Sequence, residues 1–183
     1  FVFGSLSEAD QIAAWTQFAN TLNLKLWLRP TKVNNAAAGT AISTLLTNGN
    51  FLTQDAKVDV FTDLPDKSNP LYESNARQLN VKTNLRGSRT FISWLQENND
   101  PRLDAYFTPG TTGHFGLWQG WFDAPTTVVA EQQPDVAILS PTQPVYFFSA
   151  DEVMFMVAEA NARYGSASEA QAFYEAGTNA ACE

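Results

Sequence analysis

From Tyr106 to Trp121 the chain sets Tyr106, Phe107, Phe115, Trp118 and Trp121, with Phe122 directly after, among Gly110, Gly113, Gly116 and Gly120. Neither period 2 nor period 3.6 organises these rings, so they read as a compact, glycine-hinged loop rather than as one face of a strand or helix. The chemistry open to such a loop is carbohydrate stacking. The C–H side of a pyranose is apolar and lies on an aromatic face, while amides and carboxylates take the hydroxyls. Trp118 and Trp121, three residues apart between glycines, lead the candidate set, with Phe115 and Tyr106 beside them. The competing reading is that the rings plug the loop onto the helices, because an aromatic is more often core than platform.

Other chemistry is poorly supported. His114 is the only histidine. No serine has triad partners around it, so the default for His114 is a surface loop position and no catalytic residue is assigned. Asp63, Asp66, Asn69, Glu73 and Asn75 offer oxygen ligands, but their spacing departs from a calcium loop and turn chemistry explains them; no metal ligand is assigned. Gly113-His114-Phe115-Gly116 lacks the lysine and following helix of a phosphate loop, and no cofactor is expected. A glycosidase needs two carboxylates flanking the scissile bond, and Glu152, Glu159 and Glu169 are accounted for by helix caps and pairs.

At 183 residues the chain is long enough for one domain with a substantial core. Its 44% hydrophobic and 13% aromatic content says that it folds. A net charge of −8 argues against a nucleic acid or an anionic membrane surface as partner, leaving neutral or cationic ligands open. One cysteine, Cys182, permits neither a disulfide framework nor a metal quartet. No apolar run reaches the length of a membrane span. The opening at Phe1, without methionine or a signal-type core, and the abrupt end at Glu183 read as a trimmed segment of a longer chain.

The elements that must hold the loop are helical. Ser7 with Asp10 forms a capping box, and Ile12, Trp15, Ala19, Leu22 and Leu26 follow as an apolar stripe widened by Phe18, Leu24 and Trp27, with Trp15 and Trp27 expected in the core; Pro30 stops this helix. A second helix is predicted over 35–48 and ends at Gly49. Val58 and Val60 hint at a short extended piece. Arg86 to Asn99 reads as a third helix with Phe91, Ile92 and Leu95 buried, Trp94 on its flank, Ser88 as cap, and Asp100 and Arg102 locking its end. Prolines 125, 134, 141 and 144 mark an irregular approach to the last helices. Ser149, with Glu152 returning a bond, caps a mostly buried helix from Ala150. Glu159 and Arg163 pair across one turn, Gly165 supplies a left-handed cap, Ser166 or Ser168 starts a second helix, and Gly177 closes it. Ala158, Ala170 and Tyr174 fit the spacing of one tetratricopeptide unit, of which no second copy is found.

The fold class is therefore mainly α: tetratricopeptide-like helix pairs with a long irregular aromatic and glycine-rich excursion and little β. One helical domain is expected over 1–183, helical in 1–49, loop-rich in 50–85, a helix in 86–99, aromatic, glycine- and proline-rich loop in 100–144, and a helical hairpin in 145–183.

Three stretches in order carry a family resemblance. AAWTQFANTLNLKLWLRP resembles the W-x-x-F-A-N-x-L-x-L-x-x-x-x-R segment of the SusD/RagB outer-membrane nutrient-binding lipoproteins. ENNDPRLDAYFTP with GHFGLWQG resembles their D-P-R-L…Y-F…G…G segment, and PVYFFSADEVMFMVAEANARYG with AQAFYEAG their closing hairpin. The nearest likeness is to SusD-like group two, of whose longer plan this chain covers the middle portion. It departs at Ser149–Glu152, where Tyr-Ala-Glu is common, and at Thr178, where Ile is usual. The resemblance implies a non-enzymatic, lipid-anchored protein at the cell outer-membrane surface. It would capture an oligosaccharide or other nutrient and deliver it to a TonB-dependent SusC-like transporter. The alternatives from other classes are a helical peptide-binding or structural adaptor of tetratricopeptide type and, more weakly, a glycoside hydrolase.

Overall fold

The computed structural model describes residues 2–79, 84–121 and 134–182. Phe122, Pro125 and Lys82 lie outside the described residues. The chain divides into two compact units, Phe1–Val60 with Pro144–Glu183, and Phe61–Gln143.

The first unit is a helical layer. Helix α1, Glu8–Leu28, begins where the Ser7 hydroxyl accepts from the Asp10 amide at 3.3 Å and donates to the Asp10 carboxylate at 2.6 Å. The first bond satisfies one of the amides that a helix start leaves open. Pro30 stops the α-helical ladder as its missing N–H requires, and the chain continues as a 3₁₀ turn, Arg29–Lys32. Helix α2, Asn35–Asn48, starts at Asn34, whose side chain accepts from the Ala37 amide, and ends at Gly49 in the left-handed region with φ 59. Strand β1, Ala56–Val58, is the short extended piece.

The face that α1 buries is not the one the hydrophobic stripe selects. Ala14, Thr21, Leu24 and Leu28 point inward, at spacings of seven, three and four. Ile12 is 64% exposed, Leu26 61% and Trp15 47%. Trp15 thus lies outside the core, in edge contacts with Phe3 and Phe18. Trp27 packs partly buried against it. Two apolar faces compete on this helix, and buried Thr21 tips the choice: its hydroxyl accepts from the Leu52 amide at 3.0 Å, a bond only the inward face provides.

The closing hairpin has its helices where the sequence places them and different end chemistry. Helices α6, Ala150–Tyr164, and α7, Ala167–Ala180, pack side by side, with Val153, Met156, Val157 and Ala160 entering the core beside Leu24, Ala38 and Ile42. Ser149 precedes α6 without a side-chain cap bond. The Ala150 amide instead donates to Asp55 at 2.9 Å, and Glu152 binds Lys25 of α1 at 2.6 Å rather than turning back to Ser149. Glu159 and Arg163 pair across a turn at 2.8 Å. Gly165 caps α6 with φ −121 and ψ −135, outside the left-handed region. A Cβ there would stand 2.3 Å from Asn161 Oδ1 and 3.0 Å from Asn161 Cα, so a side chain would have to displace the Asn161 amide. Gly177 does not end α7 but lies buried within it, where a Cβ would stand 3.2 Å from Met154 Cβ and Phe155 Cε1. Its role is the close approach of the two helices. Strand β4, Val145–Phe148, runs antiparallel to β1.

The second unit is less regular. Helix α3, Pro70–Tyr72, runs into a π-helical segment, Glu73–Gln78. Asn69 caps α3, and Asp63 and Glu73 both face Arg77, so these oxygens serve turns and an ion pair. Helix α4, Arg89–Glu97, buries Ile92 and Leu95 completely. Phe91, expected beside them, is 42% exposed and stacks on Tyr106 instead. Ser88 occupies the cap position without a side-chain bond. The end of α4 is locked as read: Arg102 donates to Asp100 from its amide, Nε and Nη2, and that guanidinium holds the Asp100 carboxyl down at about 2. Within the stretch read as loop stand a short helix α5, Arg102–Tyr106, and the strand pair β2, Phe107–Thr108, with β3, Val136–Ala137.

Candidate functional site

The aromatic loop is held by backbone lacing on two sides. The Arg89 amide donates to Leu117 O at 2.7 Å and the Leu117 amide to Gly87 O at 2.8 Å, a parallel bridge that ties the loop to the start of α4. On the other side the Asp135 amide donates to Phe115 O at 2.8 Å and the Gly87 amide to Asp135 O at 2.7 Å. Gly116 permits the approach. A Cβ there would stand 2.5 Å from Arg89 Cα and 2.6 Å from Arg89 N, both backbone atoms that cannot yield.

A buried carboxylate completes the clamp. Asp135 is fully buried, and its two oxygens take the Phe115 amide at 2.8 Å and His114 Nδ1 at 2.5 Å. His114 Nε2 reaches Asp104 on α5 at 2.9 Å. The histidine is therefore no ordinary surface residue: its side chain is 15% exposed and links two carboxylates. Burial opposes the charged imidazole most strongly, yet the hydrogen bonds to Asp135 and Asp104 together prevail and raise its pKa above 6.5. The sequence hides this because the partners stand ten positions before and twenty-one after.

Trp118 and Trp121 line one open pocket of about 450 Å³ with Arg86, Gly87, Ser88, Leu117, Gln119 and Gly120. Trp118 is 56% exposed and Trp121 40%, so indole surface is open to a ligand. Phe115 is half-buried and joins the set through Arg89, whose guanidinium lies 5.1 Å from the Phe115 ring centre and 5.9 Å from that of Trp118. Tyr106 is exposed but does not line this pocket. It stacks on Phe91 at 6.5 Å with the rings 22° from parallel.

Sequence reasoning missed Arg86 and Arg89. A signal existed: between Glu73 and Glu97 stand Arg77, Lys82, Arg86 and Arg89 with no acid among them. Arg86 Nη1 donates to Pro134 O, and burial lowers its pKa from the usual arginine value.

The helical layer with its α6–α7 hairpin and the unit that carries the aromatic loop belong to a fold shared with solved SusD homologues. The chain belongs to the SusD-like group-two family, described as starch-binding and associating with the outer membrane, and matches it over residues 9–183. Among solved structures it is similar to a SusD homologue from Bacteroides uniformis, at 25% identity and a TM-score of 0.72 over 92% of this chain and 36% of that one. It is likewise similar to a SusD homologue from Bacteroides vulgatus, at 24% identity and a TM-score of 0.71 over 92% of this chain and 35% of that one. A chitin-binding protein shares the fold at 23% identity and a TM-score of 0.72, covering 92% of this chain and 40% of that one. The chain thus spans about a third of the length of the SusD homologues it matches. No curated protein gives a significant match.

Proposed function

We propose that this chain carries a glycan-binding site of a non-enzymatic outer-membrane protein, with Trp118 and Trp121 as the stacking platform, Phe115 joined to it through Arg89, and Tyr106 set apart against Phe91. The observation that carries the reading is the pair of open indoles lining one pocket on a backbone laced by four short hydrogen bonds. Ligands of this kind need a preorganised apolar face with a few polar groups around it, and Gln119, Ser88 and Arg86 supply those. No carboxylate is among the lining residues described, which favours binding over glycoside hydrolysis. In the full-length protein a lipid anchor would hold the molecule at the surface, where it passes its oligosaccharide to a TonB-dependent SusC-like transporter. Membership of a family described as starch-binding and associating with the outer membrane supports that setting.

Calorimetry against starch, chitin and acidic oligosaccharides tests the site. Trp118→Ala with Trp121→Ala is expected to weaken binding of whichever glycan is held by more than tenfold, at about 1–3 kcal/mol for each ring lost, while the melting temperature stays near that of the parent. Unchanged affinity in a folded double variant would reject the platform.

A further inference from the structure

We propose that the Trp118–Trp121 pocket selects glycans bearing a negative charge, a carboxylate or sulfate on the sugar, with Arg86 as the counter-charge and Arg89 supporting it. The inference rests on the glycan reading above and adds a substrate class to it.

Its basis is a local charge imbalance. In this unit Arg77 faces Asp63 and Glu73, and Arg102 grips Asp100. Arg86 and Arg89 pair with no carboxylate among the described residues. Arg86 lines the pocket beside both indoles, with one guanidinium N–H held by Pro134 O. A guanidinium carries five N–H donors, so most of its fork is free to take an oxyanion in bidentate fashion. Arg89 adds a second positive charge against the Trp118 ring.

No carboxylate among the described residues pairs with these two cations. Arg86 is half-buried, and a partly desolvated guanidinium without a counter-ion is an unfavourable arrangement that an incoming anion relieves. Two carboxylates of this unit are engaged elsewhere. Asp135 points its oxygens at His114 and the Phe115 amide, and Asp104 also faces His114.

The net charge of −8 is a property of the whole chain and does not set the field at one pocket. Screening confines each surface charge to about 8 Å at physiological salt, so an approaching sugar meets the local field. In the acid-free stretch between Glu73 and Glu97, Arg86 and Arg89 are the described cations that pair with no carboxylate among the described residues.

Matched pairs of ligands test the idea by titration calorimetry: tetragalacturonate against its methyl ester, sialyllactose against lactose, and a sulfated galactan oligosaccharide against its desulfated form. At least one acidic member is expected to bind about tenfold tighter than its neutral counterpart, with the advantage shrinking at high salt. Arg86→Met should erase the advantage and Arg86→Lys retain part of it. Because Arg86 also anchors Pro134 O, Arg89→Gln serves as a second variant and should narrow the same gap. Neutral members bound as tightly as acidic ones, or a gap unchanged in a folded Arg86→Met or in Arg89→Gln, overturns the proposal. If neutral glycans bind through Trp118 without acidic preference, this inference falls and the glycan site stands. If no glycan binds, the site itself is refuted and the inference with it.

Discussion

His114 and Asp135 form the central polar contact beneath the aromatic loop, imidazole Nδ1 against a carboxylate with no exposed surface. The contact gives the loop a pH dependence. A histidine whose folded pKa is raised binds its proton more tightly in the folded than in the unfolded chain. Its contribution is therefore complete below 6.5, the ordinary value, and is lost as pH rises through the raised folded value. Urea midpoints should fall between mildly acidic and mildly alkaline pH, and His114→Gln should flatten that slope. A parent slope that survives in His114→Gln would place the titration elsewhere.

The backbone contact at Gly116 leads to a second expectation. Replacing it by alanine drives a methyl group into Arg89 Cα and N, so the Leu117 bridge must open. Gly116→Ala should destabilise the Phe61–Gln143 unit by about 3 kcal/mol or more, the upper range for overpacking. Amide exchange at Leu117 and Arg89 should accelerate more than at Leu24. Equal protection at all three positions would contradict this account.

The choice of buried face on α1 can be measured directly. Leu24→Ala removes a fully buried side chain and should cost about 2–5 kcal/mol. Ile12→Ala, on the exposed stripe, should change the stability of the 183-residue chain by less than about 0.5 kcal/mol. Denaturant titrations of the two variants that gave similar losses would mean that both faces are packed.

The parts of the structure readable in advance are those governed by neighbours along the chain. Ser7 and Asp10 are three residues apart, Ser166 is three from Glu169, and Glu159 is four from Arg163; each contact is made within one turn, so residue type and spacing suffice to foresee it. Ser149 shows where that reasoning fails. The local partner, Glu152, was available, yet Asp55 takes the helix amide from ninety-five positions away and Lys25 takes Glu152 from 127 positions away. A distant partner of better geometry displaces a local one only once the chain has folded back.

The aromatic loop divides in the same way. Clustered rings among glycines mark Trp118, Trp121, Phe115 and Tyr106 as a set, but ring density says nothing of which ones share a pocket. Strand-like lacing brings Trp118 and Trp121 to one cavity with Arg86, while Tyr106 goes to Phe91.

From its order of residues alone this protein has its long helices, the caps at Ser7 and Ser166, and its family, because those depend on periodicity and on hydrogen bonds closed within a few positions. Folding decided that α1 turns Leu24 inward and Trp15 outward, that His114 stands between two carboxylates, and that two arginines flank the open indoles. These outcomes depend on close packing and charge pairing between segments far apart in sequence, and such contacts acquire their energies only when tertiary structure excludes water and fixes the distances.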